Sequence, residues 1–401
     1  MWRHGVLLLA AACGGSGAAD PIFDLPDADG APVADAAMSP QIDATDPDAG
    51  VGAPDFPDAA PEPTGGAALP AVKYGPYLQG PGRHQVTVSL ETSTAVPVSV
   101  ELDGRTLASP AGTHHELTFD GLAPARRYWY RAHVGGTAGV VHHATTLPLA
   151  GEPVRFVVMG DHQFDTLALR DIVDRVAAEG VDLIVQTGDI VFSGGDESSW
   201  EEVVPLLEPL LADVSMVSVA GNHEYYDGGV SRFTQLMTAP PGSALVPDLV
   251  YSFDAGSVHL VVLDSNAETP GLATWLQADL FAARAAGAER VFVFVHHGPH
   301  SCGPHGGDAA LASLLAGVAQ VTPIDAVFSG HDHIYERGLT AAGLRYFVSG
   351  GGGADLYWCT ALSTTKKCVV DFHYLVVSVT GGTVRVQAKT PSGTVIDDVS
   401  F

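Results

Sequence analysis

The sequence predicts a layered α/β domain preceded by a smaller all-β domain. Three observations carry that prediction. The texture changes near Gly151, from short alternating strands to apolar runs separated by helix-period segments. Those runs are β-branched and nearly continuous, as expected for strands buried on both faces. Polar residues gather just past the ends of five of them, where ligands bind in open α/β sheets. With 401 residues, 46% of them hydrophobic, the chain has ample material for two cores.

The N-terminus, MWRHGVLLLAAAC, places Arg3 and His4 before an apolar run, Val6 to Ala12, too short to span a membrane. Residues 1–13 read as a lipoprotein-type signal peptide. The stretch Leu9 to Cys13 resembles a bacterial lipobox, which implies export and a lipid on Cys13, with the cell envelope reached through that anchor alone. An ordinary cleaved signal with an incidental Cys13 is the alternative. Residues 14–70 hold ten of the 27 prolines. Eleven acidic residues and no Lys or Arg fall between Arg3 and Lys73. Such a segment buries too little apolar surface to offset its chain entropy, and it reads as a disordered tether. The formal charge is −27, with no basic stripe anywhere; nucleic acid is excluded as a partner.

Residues 71–149 read as all-β. QVTVSLET, PVSVEL, HELTF, RYWYRAHV and GVVHHATT alternate or carry β-branched and aromatic residues, with Gly, Pro and Asp turns between them. The segment GLAPARRYWYR, Gly121 to Arg131, resembles the turn-then-tyrosine pattern of a fibronectin type III-like domain. YGPYLQ, from Tyr74, resembles the opening of the N-terminal domain of purple acid phosphatases. His114, His115, His142 and His143 read as strand-surface residues.

Residues 150–401 carry the chemistry. Strands are expected at 154–159, 183–187, 214–220, 258–263, 291–295 and 326–328, and helices at 166–179, 271–286 and 309–320. Past the strands stand Gly160-Asp161-His162-Gln163, Gly188-Asp189, Gly221-Asn222-His223-Glu224, His296-His297 and Gly330-His331-Asp332-His333. Each alone has a bland reading: Gly-Asp caps helices, Asn serves turns and histidine pairs occur in solvated loops. Together they point to one crevice. Extended residues i and i+2 project to one side, so His331 and His333 aim at a common point. Carboxylate, carboxamide and imidazole donors without thiolate suit borderline divalent ions. Two such ions about 4 Å apart would need a bridging carboxylate, for which Asp189 is the natural choice.

This ordered set resembles the calcineurin-like metallophosphoesterases, and within them the purple acid phosphatase type, from Lys73 to Phe401. The resemblance implies a four-layer α-β-β-α sandwich. One metal would take Asp161, Asp189 and His333, and the other Asp189, Asn222, His296 and His331. It also implies catalytic roles for His223, which would touch the phosphate and protonate the leaving oxygen, and for His305. His297 and His300 stay unassigned. The cofactors would be two divalent or trivalent ions, Fe, Zn or Mn. The substrate would be a small phosphate ester, most simply a monoester. A phosphodiesterase or nucleotidase, or a weakened surface binding module, are the alternatives. Gly350 to Gly353 open no helix with a Lys and read as a tight turn, with C-terminal strands expected at 369–379 and 383–388.

The sequence departs from the purple enzymes at one metal. Where they keep a tyrosine, GDIVF places Phe192; where other branches keep a histidine, Gln163 stands. Gln163, His162 or water would fill the gap, and without phenolate a colourless protein using divalent ions is expected. Cys359 and Cys368 bracket a hairpin-like loop and are expected to pair. That leaves Cys302 a free thiol, with a Cys302–Cys359 bond as the other possibility.

Overall fold

Alternation and turn chemistry build the first unit. The computed structural model describes residues 61–401; the expected signal segment, Cys13 and the tether as far as residue 60 lie outside the described residues. Residues 64–69 are tied down rather than free: Arg131 donates to the Thr64 and Gly65 carbonyls, and Leu69 packs on the β core. Strands β1 (Val72–Gln79), β2 (Val86–Leu102), β3 (Arg105–Phe119), β4 (Arg127–Val134) and β5 (Thr137–Thr145) form one five-stranded sheet. The two strands expected at 85–92 and 97–102 are a single strand, β2. Pro97, which cannot donate to a ladder, is absorbed by register shifts between Glu91 and Val98. β3 pairs β2 along its length, while the other edge of β2 carries β1 and then β4. Leu78, Val88, Leu90, Val100, Phe119 and Tyr130 fill the core.

The remainder is mixed α/β. In chain order come β6 (Val154–Met159), α1 (Leu167–Ala177), β7 (Leu183–Gln186), α2 (Glu197–Leu211), β8 (Met216–Ser218), α3 (Asn222–Tyr225) and α4 (Val230–Leu236). Then follow β9 (Ser243–Val246), β10 (Val250–Ala255), β11 (Val258–Leu263), α5 (Leu272–Ala285), β12 (Arg290–Val295), α6 (Ala309–Ala319) and β13 (Ala326–Ser329). β14 (Tyr335–Leu339), β15 (Arg345–Ser349), β16 (Thr365–Val369), β17 (Tyr374–Thr380), β18 (Thr383–Lys389) and β19 (Val395–Ser400) complete it. One sheet runs β19-β18-β17-β6-β7-β8, the other β16-β14-β15-β13-β12-β11-β10-β9.

Period-2 alternation sorts the strand residues between cores. Phe156 and Val158 of β6 meet Leu260, Phe292 and Phe294 of the second sheet. Val157 and Met159 face the other way, onto Leu169 and Ile172 of α1 and Trp200 and Leu207 of α2. Val261, Val291 and Val293 pack on Leu276 and Leu280 of α5 and Leu315 of α6. Thr166 caps α1 by accepting from Leu169 N, and Asp308 caps α6 by accepting from Ala310 N and Leu311 N.

Beyond the fused β2, the structure departs from the sequence reading at α2, β17 and β19, among other elements. α2 was not anticipated, because Pro205 and Pro209 stand inside it; they lie on its exposed side while Trp200, Val203, Leu207 and Leu211 are buried. The strand expected at 369–379 begins at Tyr374, after a turn in which Phe372 N donates to Asp371. The edge strand β19 has weak alternation and reads poorly from sequence. Cys359 and Cys368 are bonded and Cys302 is a buried free thiol.

The β unit and the α/β part pack directly. Tyr74 donates to Glu197 at 2.9 Å, Tyr130 to the Ala212 carbonyl at 2.7 Å, and Arg232 bridges Glu91 and Glu197 at 2.7 Å each. Among the described residues no helix is long and apolar enough to cross a membrane.

Candidate metal centre

Parallel pairing sets the site. β6, β7 and β8 run parallel in one sheet, and β12 and β13 in the other, so their C-terminal ends open on one side. The loops leaving them are welded together: Asp161 N donates to Gly188 O at 3.0 Å, and His162 N to Asp189 O at 2.9 Å. Asp161, Gln163, Asp189 and His331 all sit at positive φ, between 56° and 70°. Such a concentration of left-handed non-glycine residues marks a strained, functional region. Gly188 is needed on two counts: its φ is +101°, and a Cβ there would stand 2.3 Å from His296 Nδ1.

The six residues expected to bind metal converge. His296 Nε2 lies 3.3 Å from Asp189 Oδ1 and 3.0 Å from Asn222 Oδ1. His333 Nε2 lies 3.6 Å from Asp161 Oδ1. The His331 ring centroid is 5.0 Å from that of His296, and its backbone N–H donates to Asp161. Donor atoms of Asp161, Asp189 and His296 lie within 4.8 Å of one another. The two residues expected to be catalytic are also here. His223 Nε2 is 3.7 Å from Asp189 Oδ2, and the His305 ring is 4.5 Å from that of His331.

Three of these imidazoles are aimed the same way. A backbone carbonyl can only accept, so Nδ1 of His296, His333 and His223 donates to Thr187 O, Asp355 O and Phe192 O respectively. Each ring therefore turns Nε2 inward, the arrangement that orients histidine ligands in metal sites.

Three residues given no role from sequence prove to be part of the assembly. His297, with His296 and His331, forms a second three-residue group within 4.8 Å, and its Nδ1 meets Ser265 Oγ. Glu224 is fully buried and accepts from Asp189, Ile190, Val191 and Gly221 N–H groups, clamping two loops. Asp332 accepts from Ser301 Oγ and His305 N, holding the loop that carries His305. His300 lies instead beside Tyr346. Of the two groups left to fill the deficient position, Gln163 touches the cluster, donating to Asp189 Oδ2 at 3.2 Å; His162 bonds the Gly352 carbonyl.

The electrostatics call for cations. Asp161 and Asp189 are wholly buried, and among the described residues only histidines pair with them, no Lys or Arg. Burial drives the Asp161 carboxyl well above the usual range, the Asp189 charge adding to it; at Asp189 burial is outweighed by His296 and His223, and the carboxyl falls below that range. Burial would lower His296, but Asp189 raises it to about 10, while burial and its histidine neighbours push His331 down to about 2. Two adjacent buried carboxylates without a fixed cation are unfavourable. A pocket of oxygen and imidazole donors that compensates them only with protons fits borderline divalent ions.

Residues 154–335 match the model of the calcineurin-like phosphoesterase family. Purple acid phosphatase 21 of Arabidopsis thaliana is 26% identical over 239 residues, covering 57% of this chain and 54% of that protein. The chain thus spans about half the length of the curated relatives it matches. Among solved structures, purple acid phosphatase PPD1 from yellow lupin (Lupinus luteus) seeds superposes with a TM-score of 0.69 at 18% identity, covering 81% of this chain and 73% of that one. PhoD superposes with a TM-score of 0.64 at 14% identity, covering 84% and 90%. Residues 154–335 are thus similar to the calcineurin-like phosphoesterases, within a fold similar to that of purple acid phosphatase.

Proposed function

We propose that the protein hydrolyses phosphate monoesters at a centre of two cations. The carrying observation is the pair of buried carboxylates, Asp161 and Asp189, whose only ion-pair partners among the described residues are histidines, with no Lys or Arg. Asp161, Asp189 and His333 would hold one ion, and Asp189, Asn222, His296 and His331 the other, with Gln163 supporting the first. When bound, such ions supply hydroxide near neutral pH and neutralise charge on the phosphoryl group. The chain's own residues do the rest. His223 has its Nδ1 proton committed to Phe192 O, so it donates to a leaving oxygen from Nε2 only as the imidazolium. His305, beside His331, would meet the non-bridging oxygens. Asp332 and Glu224 keep these groups in register.

Around this site we read the two facing sheets and their outer helices as the four-layer α-β-β-α sandwich. The β unit reads as fibronectin type III-like, supported by Tyr128, whose hydroxyl accepts from Ala123 N at 2.6 Å, five residues upstream. Export and a lipid on Cys13 rest on the N-terminal pattern and accord with the Cys359–Cys368 bond; failure of Cys13 to take up labelled lipid would remove the anchor.

The test is elemental analysis of the purified protein alongside p-nitrophenyl phosphate and its bis ester. Two ions per chain with faster monoester turnover is expected. A chain without ions that turns over neither ester would overturn the reading, and faster diester turnover would replace monoesterase by diesterase.

A further inference from the structure

Aromatic rings stand around the histidine that faces the leaving oxygen. The Tyr226 ring lies 4.6 Å from His223 between centroids and the Phe192 ring 5.4 Å, with Phe164 a further 5.0 Å from Phe192. All three are open to solvent: Phe164 by 37%, Phe192 by 48% and Tyr226 by 45%. They come from the loops that carry Asp161, Asp189 and Asn222, so their places relative to the centre are fixed by the same backbone welds. A cluster of large apolar rings left exposed beside a polar site marks a ligand surface rather than a core.

Charge narrows the ligand. Among the described residues no Lys or Arg forms an ion pair, hydrogen bond or cation–π contact with Phe164, Phe192, Tyr226, His223 or His305. Arg170, on the helix after Phe164, is taken up by Asp165 at 2.7 Å. A second phosphate on the substrate would meet no counter-charge here. Distance narrows it further. A leaving oxygen against His223 Nε2 puts a ring bonded directly to that oxygen in stacking range of Tyr226 and Phe192, where aromatic pairs sit 4.5–7 Å apart.

We propose that Phe164, Phe192 and Tyr226 form a leaving-group subsite selecting aryl phosphate monoesters, in which the aromatic ring is bonded to the ester oxygen. The inference rests on the hydrolase reading above. In the reaction the phosphorus–oxygen bond to the aryl group breaks as one to the water oxygen forms. The electron pair and one proton leave on the phenol, so aryl phosphate and water become a phenol and inorganic phosphate.

The experiment uses the metal-replete full chain, with phenylphosphonate and methylphosphonate binding measured by calorimetry. An aromatic contact of this kind is worth about three- to tenfold in affinity, and the wild type is expected to prefer phenylphosphonate by about tenfold. Phe164→Ala should lose most of that preference with methylphosphonate binding unchanged. Phe192→Leu should lower the phenyl phosphate to ethyl phosphate ratio of kcat/KM relative to wild type, a comparison in which the intrinsic reactivity of the two esters cancels. Equal affinity for both phosphonates in the wild type, or a preference untouched in Phe164→Ala, overturns the subsite alone. If neither phosphonate binds, the hydrolase reading falls and the subsite with it.

Discussion

Replacing Glu224 by Gln keeps the side chain's shape and takes away one of its two acceptor oxygens. In the native site Oε1 accepts from Ile190 N at 2.8 Å and Val191 N at 3.3 Å, while Oε2 accepts from Asp189 N at 2.8 Å and Gly221 N at 2.7 Å. Burial and the Asp189 charge push this carboxyl up to about 7, and the N–H donors of Gly221 and Asp189 oppose that push. In the variant one oxygen remains and an NH2 group faces two N–H donors. Leaving a buried N–H donor without its acceptor costs about 1–3 kcal/mol, so stranding two costs about 2–6 kcal/mol. For a chain of this size that is a melting temperature lower by on the order of 5–15 °C. The loss falls on the loops that present Asp189 and Asn222, so metal affinity should drop as well. The assay is thermal unfolding of chelator-treated protein, which isolates the fold, followed by metal titration. Unchanged melting and unchanged metal stoichiometry in Glu224→Gln would refute the clamp.

Asp189→Ala should abolish ester turnover and leave fewer than two ions bound, as read by elemental analysis; retained activity would count against its bridging position. Iron-loaded protein should show no visible tyrosinate band, because Phe192 replaces the phenolate, and a band in the absorption spectrum would contradict that. Away from the centre, His259 lies between Asp254 at 2.7 Å and Asp279 at 2.9 Å. Burial would lower it, but the two carboxylates raise it to about 9. A raised histidine contributes fully below its ordinary pKa of about 6.5 and loses its contribution as pH climbs through about 9, on the order of 3 kcal/mol. The fall in melting temperature between pH 7 and pH 10 should therefore be smaller in His259→Gln than in wild type, and equal falls would remove the argument. Cys302, Cys359 and Cys368 bring their sulfurs within 4.8 Å of one another. Oxidised Cys368→Ser should accordingly yield a Cys302–Cys359 bond by non-reducing peptide mapping, and a free Cys359 would show that the buried Cys302 thiol cannot reach it.

The candidate ligands were legible because strand ends have a local signature: an apolar β-branched run, then glycine, then a polar residue. Asp161, Asp189, Asn222, His331 and His333 follow a glycine in this way, His296 follows Val295 directly, and five such strand ends in chain order expose a common crevice. Glu224 was visible in its motif but its work was not. It bonds backbone N–H groups some 33 to 35 residues away, and backbone amides look alike in every sequence. His297 escaped for a related reason, since spacing could choose only one of two adjacent imidazoles while the fold admits both to the cluster. α2 escaped because its local propensity, with Pro205 and Pro209 inside, is overruled by an apolar face that packs on the sheet.

By itself the sequence determined the donor types, their order along the chain, the parallel α/β texture that would gather them and the absence of a phenolate at residue 192. Tertiary structure alone decided which nitrogen each histidine turns inward, which carboxylate clamps which loop and which aromatic rings share the space around His223. Composition and periodicity are properties of neighbours along the chain. Orientation is settled by carbonyls and N–H groups that arrive from distant strands, and only packing brings those within hydrogen-bonding reach.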